Sequence, residues 1–211
     1  MSQEQDNAPR SQPSARAEGG IQDIRQRVLS ACLDLAAQQD WGSLSVRDII
    51  GHADVSLTDF YAYFEDKEDI LFFYGKQIDQ HVLGTISQGV DGGGSVRDRL
   101  FDILMERMDK VNEHREAVLS ILNSFCFDPK QTLIGLPHLA KSMSKMLEAS
   151  GVSTSGLFGA VKVAGLTTVY CLTLRAWKED ESVDLSKTMA ALDRNLSRAE
   201  KAADLLGSRW L

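Results

Sequence analysis

Apolar residues recur at helical spacing along most of this chain. Ile21, Ile24, Val28, Cys32 and Leu35 follow one another at steps of three and four, which places them on one face of a helix. Strand-like alternation is scarce, so the pattern predicts an all-α fold. After a first helix over about 21–39 and two short helices, the pattern predicts long helices at about 66–90, 96–112, 115–127, 132–149, 155–179 and 184–206.

Three cap signals lie close together between Ser45 and Leu71. Ser45, Ser56 and Asp66 are each followed three positions later by an aspartate, the spacing of a helix N-terminus. The stretch from Gly51 to Asp54 interrupts the pattern between the first two caps. The sequence therefore predicts two short helices across a tight turn, followed by the start of a long helix.

The last two predicted helices carry a separate signal. The final helix repeats apolar residues in a heptad seam, and the helix before it is apolar on nearly every side. Because such a helix must be covered all round, the pattern favours a homodimer with a four-helix interface. An internal helix with an internal seam is the alternative. The interface residues predicted are Leu157, Val161, Ala164, Leu185, Met189, Leu192 and Leu196.

A supporting helix followed by a helix-turn-helix is an arrangement that reads DNA. Four segments of this chain resemble the TetR family of transcriptional regulators. They are Ser45-Val46-Arg47-Asp48-Ile49, Ala53-x-Val55-Ser56, Phe60-Tyr61-x-Tyr63-Phe64 and Lys67-Glu68-x-Ile70-Leu71. The resemblance covers about residues 21–75. It implies an N-terminal three-helix DNA-binding domain over 21–75 and a larger C-terminal helical domain over 76–211, which binds an effector and dimerises. Residues 1–20 are polar and are expected to form a disordered tail.

The resemblance also implies roles for individual residues. The third helix would enter the major groove, where Leu57 can meet a thymine methyl and Asp59 can accept from a cytosine amino group. Other residues would contact phosphates and set the register on the duplex. The expected DNA contacts are Ser45, Arg47, Ser56, Leu57, Thr58, Asp59, Tyr61, Tyr63 and Lys67. The family usually has glycine in the turn; Asp54 stands there in this chain and tolerates left-handed geometry.

Charge complicates this picture. The chain of 211 residues has a formal net charge of −7. Between Ile21 and Lys76 the sequence contains five lysines and arginines against ten aspartates and glutamates, a balance of −5. Because neutralising phosphates supplies much of the affinity for DNA, operator binding is expected to be weak, salt-sensitive, dependent on additional dimers or lost.

In the larger domain, apolar and polar residues together suggest a ligand pocket. The candidates are Phe101, Met105, Met108, Asn123, Phe125, His138, Met143 and Tyr170. Methionine and phenylalanine at helical spacing are more often ordinary core, and this alternative stays open. A small hydrophobic or acyl-bearing effector would suit these residues.

The main hypothesis is a cytoplasmic, homodimeric, ligand-responsive regulator that binds an operator in double-stranded DNA, most simply as a repressor. A second hypothesis is a lipid- or small-molecule-binding protein that keeps the fold without reading DNA. The segment from Leu174 to Asp184, with Thr188 and Leu192-Asp-Arg, loosely resembles the TetR-like lipid-binding proteins of ubiquinone biosynthesis.

An enzyme ranks last, because no phosphate loop, catalytic triad or metal-ligand spacing is found. No cofactor or metal is expected, and the three scattered cysteines fit buried residues in a reducing compartment. The apolar, uncharged run from Val163 to Leu174 is too short to cross a bilayer, so no membrane partner is expected.

Overall fold

A computed structural model describes residues 14–89, 94–127 and 129–205. These residues form nine α-helices and no strand, which confirms the all-α prediction. The helices are α1 (Ser14–Gln38), α2 (Val46–Ala53), α3 (Leu57–Tyr61), α4 (Lys67–Gly89), α5 (Val96–Asn112), α6 (Arg115–Phe127), α7 (Pro129–Ala149), α8 (Gly156–Lys178) and α9 (Ser186–Leu205). A single 3-10 turn, Trp41–Ser43, connects α1 to the segment before α2.

Two helices differ from the predicted bounds. α1 begins at Ser14, seven residues before the predicted start, because alanine, arginine and glutamate in this stretch favour helix even without an apolar face. The rest of the expected tail, residues 1–13, lies outside the described residues. α7 begins at Pro129, three residues before the predicted start, and continues through Pro137 to Ala149.

The N-terminal helices enclose one hydrophobic core. Phe60 of α3 and Ile49 of α2 are fully buried against α1 and the first turns of α4. α6 from the larger part of the chain closes this core with Ala117 and Ile121. The Ser120 hydroxyl also accepts a 3.0 Å hydrogen bond from the Trp41 backbone N–H. The helix-turn-helix unit is therefore fixed to the rest of the fold through α6 as well as through α4.

A second core lies among α4, α5, α7, α8 and α9. The heptad seam of α9 faces this core: Leu185, Leu192 and Leu196 have 3%, 0% and 0% of their surface exposed within the single chain. The prediction that these three leucines form the dimer interface is therefore wrong. A side chain already buried by its own chain has no surface left to bury against a partner. The internal seam, which was the alternative, describes this face of α9.

A glycine on α8 allows a close contact within the chain. A methyl group added to Gly159 would lie 2.0 Å from the Thr154 carbonyl oxygen, so only glycine fits there. This close approach of two backbone segments lies within the chain, where the residues before α8 meet the first turn of the helix.

The corner between α8 and α9 is tied by buried polar groups. Asp180 is 1% exposed, and its carboxylate accepts hydrogen bonds from the backbone and side chains of Ser182 and Thr188. Arg115 donates to the carbonyl oxygens of Trp177 and Lys178 and lies over the Trp177 ring. These contacts give a structural explanation for the residues that loosely resemble the lipid-binding proteins, because they close a corner rather than line a cavity.

One helix among the described residues, Gly156–Lys178, is long and apolar enough to cross a bilayer by length and composition. One third of its most apolar window is buried inside the fold. The same composition is expected of a helix that packs on other helices on several sides.

Candidate functional site

The first helix of the candidate DNA-reading unit is closed by a reciprocal cap. The Ser45 hydroxyl accepts from the Asp48 backbone N–H at 3.3 Å, and the Asp48 carboxylate accepts from the Ser45 backbone N–H at 3.0 Å. Hydrogen bonds from the Ser45 side chain and backbone lower the pKa of Asp48. This carboxylate is therefore ionised at neutral pH and satisfies the free N–H groups at the start of α2.

The turn after α2 has the left-handed geometry predicted for it. Asp54 has φ of 51° and ψ of 51°, and the Val55 N–H donates to the Ile50 carbonyl at 3.1 Å. Arg27 of α1 donates to the carbonyl oxygens of Ala53 and Asp54 at 2.7 Å and 2.5 Å. Arg27 was not among the predicted site residues, although a cation on the supporting helix is the natural partner for carbonyls at a helix C-terminus. It fixes the angle between the two short helices.

The second short helix exposes one face and buries the other. Ser56 caps it by accepting from the Asp59 backbone N–H at 3.1 Å and by donating to the Asp59 carboxylate at 2.7 Å. Phe60 is fully buried, whereas Leu57 and Tyr61 are 52% and 56% exposed. Thr58 and Asp59 are also exposed. A helix that presents two large apolar side chains to solvent has a surface suited to a partner.

Lys67 is the first residue of α4, and its side chain is hydrogen-bonded within the helix-turn-helix unit. Its ammonium donates hydrogen bonds of 2.9 Å to both the Trp41 and Leu44 carbonyl oxygens and lies 4.8 Å from the centre of the Trp41 ring. These two bonds use two of the three ammonium donors, which leaves one for an external anion. Lys67 thus holds the segment that leads to the Ser45 cap.

The other cations between residues 21 and 76 are also unevenly exposed. Arg25 lies over the rings of Tyr63 and Phe73, with Tyr63 half-buried. Lys76 lines a cavity between α4 and α7. Arg47 is exposed on α2 and makes no hydrogen bond or ion pair to the part of the chain that the structure describes. The carboxylates of Asp48 and Asp69 accept backbone N–H bonds and that of Asp59 accepts from the Ser56 hydroxyl, all at or beside helix starts, where the helix dipole offsets part of their charge.

A cavity of about 470 Å³ lies among α4, α5, α6 and α7. Its wall contains apolar side chains from α4 and α7, and the rings of Phe72 and His138 stack across it at 3.7 Å between centroids. Two predicted pocket residues, Phe125 and His138, line the cavity. The full lining is Glu68, Leu71, Phe72, Phe73, Gly75, Lys76, Asp79, Arg107, Phe125, Ile134, Gly135, His138, Leu139, Lys141, Ser142 and Lys145.

The other predicted pocket residues lie elsewhere. Met105, Met108, Met143 and Tyr170 are buried core side chains, because the same helical spacing that suggested a pocket also fills the interior between packed helices. Phe101 lines a smaller cleft of about 180 Å³, together with Arg97, Asp98, Asp102 and Asp193. Asn123 is exposed and accepts a hydrogen bond from Lys178. For these six residues the prediction of a shared pocket is wrong.

Sequence reasoning missed the polar side of the cavity. Asp79 is 2% exposed; it forms ion pairs with Arg107 and with Lys145, the latter at 3.0 Å, and accepts from the Ser142 hydroxyl at 2.6 Å. The available signal was a charged residue inside an apolar helix face. Asp79 lies between Ile78 and Val82 on α4, where a helical pattern expects apolar side chains.

An apolar face remains exposed on α8. Leu157, Phe158 and Val161 are 80%, 66% and 50% exposed, and Ala164 and Leu172 lie exposed farther along the same helix. Met189 of α9 is also exposed. Four of the seven predicted interface residues, Leu157, Val161, Ala164 and Met189, are therefore accessible to a partner.

These features define the class: a capped helix-turn-helix held by a supporting helix and joined to a larger helical domain with a cavity. The class agrees with comparisons to known proteins. Residues 28–72 match the model of the bacterial regulatory proteins of the tetR family. The chain therefore carries the helix-turn-helix domain of the TetR family and has the fold of TetR-family transcriptional regulators.

Solved structures agree with this assignment over most of the chain. A TetR transcriptional regulator from Nitrosomonas europaea ATCC 19718 superimposes with a TM-score of 0.67 at 21% identity, covering 83% of this chain and 97% of that one. A putative TetR-family regulator from Syntrophomonas wolfei gives 0.58 at 22% identity, covering 87% and 96%. A TetR regulator from Rhodococcus sp. RHA1 gives 0.54 at 15% identity, covering 85% and 97%. No curated protein matches the chain in sequence.

Proposed function

We propose that this protein is a cytoplasmic, DNA-binding transcriptional repressor that acts as a homodimer. The observation that carries the proposal is the exposed face of α3, held by two caps and the left-handed turn at Asp54. Leu57, Thr58, Asp59 and Tyr61 would meet base edges in the major groove. Ser45, Arg47, Ser56, Tyr63 and the remaining donor of Lys67 would meet phosphates. The domain division proposed is 21–75 for DNA binding and 76–211 for effector binding and dimerisation.

The dimer is proposed to form through the exposed apolar face of α8. Leu157, Phe158 and Val161 lie there within one and a half helical turns, with most of their surface accessible. Burying such a face against its symmetry copy removes apolar area from water and produces an isologous interface. Two DNA-reading units would then lie on the same assembly, as two half-sites require.

Regulation by a ligand is proposed to act through α4. This helix begins at Lys67 in the helix-turn-helix unit and continues to Asp79 beside the cavity. A ligand in the cavity that binds one arrangement of α4 and α7 more tightly than another would change the separation of the two DNA-reading units. Its effect on operator affinity can be no larger than its differential affinity for the two arrangements.

Selection from a random duplex library followed by gel shifts tests this function. Because Arg47 and Lys76 are the exposed cations among the described residues 23–76, few phosphates can be neutralised, and we expect specific binding that is weak and best detected at about 50 mM salt. A selected sequence should be a palindrome with half-sites one or two helical turns apart. Recovery of no sequence at low salt, from protein shown to be folded, would overturn the proposal.

A second candidate function is a ligand-binding protein that does not read DNA. It is favoured by the balance of −5 between residues 21 and 76 and by the use of Arg27 and Lys67 in internal hydrogen bonds. The same selection experiment separates the two functions, because a protein of the second kind binds its ligand and selects no DNA.

A further inference from the structure

The cavity between α4 and α7 has the opposite charge to the protein as a whole. Its lining includes four cations, Lys76, Arg107, Lys141 and Lys145, and two acids, Glu68 and Asp79, a balance of +2. The chain as a whole carries −7. Charge of one sign in a recess walled by apolar side chains concentrates ligands of the opposite sign.

The cations closest to the interior are already arranged around a carboxylate. The carboxylate of Asp79 on α4 accepts hydrogen bonds from Arg107 of α5 and from Ser142 and Lys145 of α7. One buried anion therefore joins three helices. Two cations against one acid leave this cluster with a net charge of +1. A buried charge without a full set of partners is costly, so the cluster can take a second anion.

Arg107 lines the cavity and has one donor without a partner among the described residues. Its side chain is 5% exposed, and the donor without a partner is its buried Nε. A planar guanidinium presents its donors in a fork that matches a carboxylate or phosphate. Lys145 is 37% exposed and can turn its flexible chain towards the cavity without unfolding the cluster.

The remainder of the wall suits an apolar body. Leu71, Phe72 and Phe73 from α4 face Ile134 and Leu139 from α7. The volume of about 470 Å³ lies in the range of small-molecule sites. Apolar surface beside a cationic end matches a molecule with one apolar part and one anionic part.

We propose that the cavity binds an amphipathic anion, whose carboxylate or phosphate is held by Arg107 and Lys145 in competition with Asp79. The apolar part lies against Phe72, Phe73 and Leu139. Since Asp79 is on α4 and Lys145 is on α7, the bound anion loosens the link between these helices. That this movement alters DNA binding rests on the function proposed above, whereas ligand binding itself is measured without DNA.

The first experiment compares head groups by thermal shift and calorimetry on the full chain. The probes are octanoate, phenylbutyrate and octyl phosphate, with neutral octanamide and cationic octylamine as matched compounds. We expect the anions to bind at least about tenfold more tightly than the neutral and cationic probes. A preference between octanoate and octyl phosphate identifies the head group. Equal binding of octanamide and octanoate, or no binding by any anion, would overturn the proposal.

A pair of glycine variants locates the site. Gly75 lines the cavity, and Gly84 lies farther along α4 without lining it; a methyl group at either position meets nothing within 4 Å. Gly75→Leu should fill the cavity and reduce anion binding at least about tenfold, while Gly84→Leu should leave it unchanged. Undiminished binding by folded Gly75→Leu would place the ligand elsewhere.

Two charge variants test the competition with Asp79. Lys145→Gln should weaken octanoate binding several-fold, while Lys201→Gln at the exposed end of α9 should not. Asp79→Asn removes the internal competitor and should bind octanoate more tightly than the wild type, although the variant itself is less stable. A merely structural role for Asp79 predicts the reverse, namely weaker binding. If Asp79→Asn fails to fold, unchanged affinity in Lys145→Gln still refutes the proposal.

Discussion

The ammonium of Lys67 lies 2.9 Å from the carbonyl oxygen of Leu44. This bond joins the first turn of α4 to the residue that precedes the Ser45 cap. The position and orientation of α2 therefore depend on Lys67, which the sequence predicted to be a DNA contact. Helix α4 is connected to the DNA-reading unit by this side chain as well as by the main chain.

Replacing Lys67 with methionine should lower stability even when no DNA is present. The change leaves the Leu44 carbonyl oxygen without its donor, whereas the Trp41 carbonyl keeps its hydrogen bond from the Leu44 N–H; a hydrogen bond to a charged group contributes about 1.5–3 kcal/mol. We expect a loss of about 2 kcal/mol in the free energy of unfolding by urea denaturation. Lys76→Met, on the exposed side of the same helix, is the control and should change stability little. Equal stability of the two variants would show that the Lys67 bonds contribute nothing.

Arg47→Gln should affect DNA binding and leave stability unchanged. Arg47 is exposed and has no internal partner within the described residues, so its loss removes one phosphate contact. Because each subunit of the dimer loses one contact, the slope of log affinity against log salt should fall by about two, and binding should weaken about equally for all sequences. Thr58→Ala should instead change the preferred sequence without changing the slope. A salt slope that is the same in Arg47→Gln and the wild type would exclude the contact.

Phe158→Asp should convert the dimer to a monomer in sedimentation experiments. The side chain is 66% exposed on α8, and a charge there opposes burial of the apolar face. Val183→Asp is the matched control, because Val183 is fully exposed in the loop between α8 and α9. Substitution of Leu192 or Leu196 cannot serve as this test, since both are buried in the core and a charge there unfolds the chain. A Phe158→Asp protein that sediments as the wild type would show that the interface lies elsewhere.

Asp180 should make stability depend on pH in the acid range. Burial opposes its charge, but hydrogen bonds from Ser182 and Thr188 hold the pKa of Asp180 well below its usual range. A lowered pKa in the folded state stabilises the fold above the unfolded value of about 3.9, and this stabilisation is lost as pH falls below it.

The free energy of unfolding should therefore decrease between about pH 5 and pH 2. In Asp180→Asn it should be lower at neutral pH and fall less steeply. Asp184→Asn, at the exposed neighbouring acid, should keep the steeper fall. A slope in Asp180→Asn that equals that of the wild type would assign the pH dependence to other groups.

The sequence by itself determined the local structure. Helix positions, the caps at Ser45 and Ser56 and the left-handed turn at Asp54 could be predicted, because each depends on residues within one or two turns of each other. The burial of Phe60 and the exposure of Tyr61 also followed from helical spacing.

Only the tertiary structure decided which partner each face meets. The leucine seam of α9 is apolar whether it meets α8 of its own chain or a second subunit, and packing placed Leu192 inside. Lys67 is a cation in either role, and only the position of Leu44 makes it an internal donor. The cavity depends on Asp79, Arg107 and Lys145, which lie on three helices 28 to 66 residues apart. Side-chain spacing specifies a helix face, whereas long-range packing specifies what that face contacts.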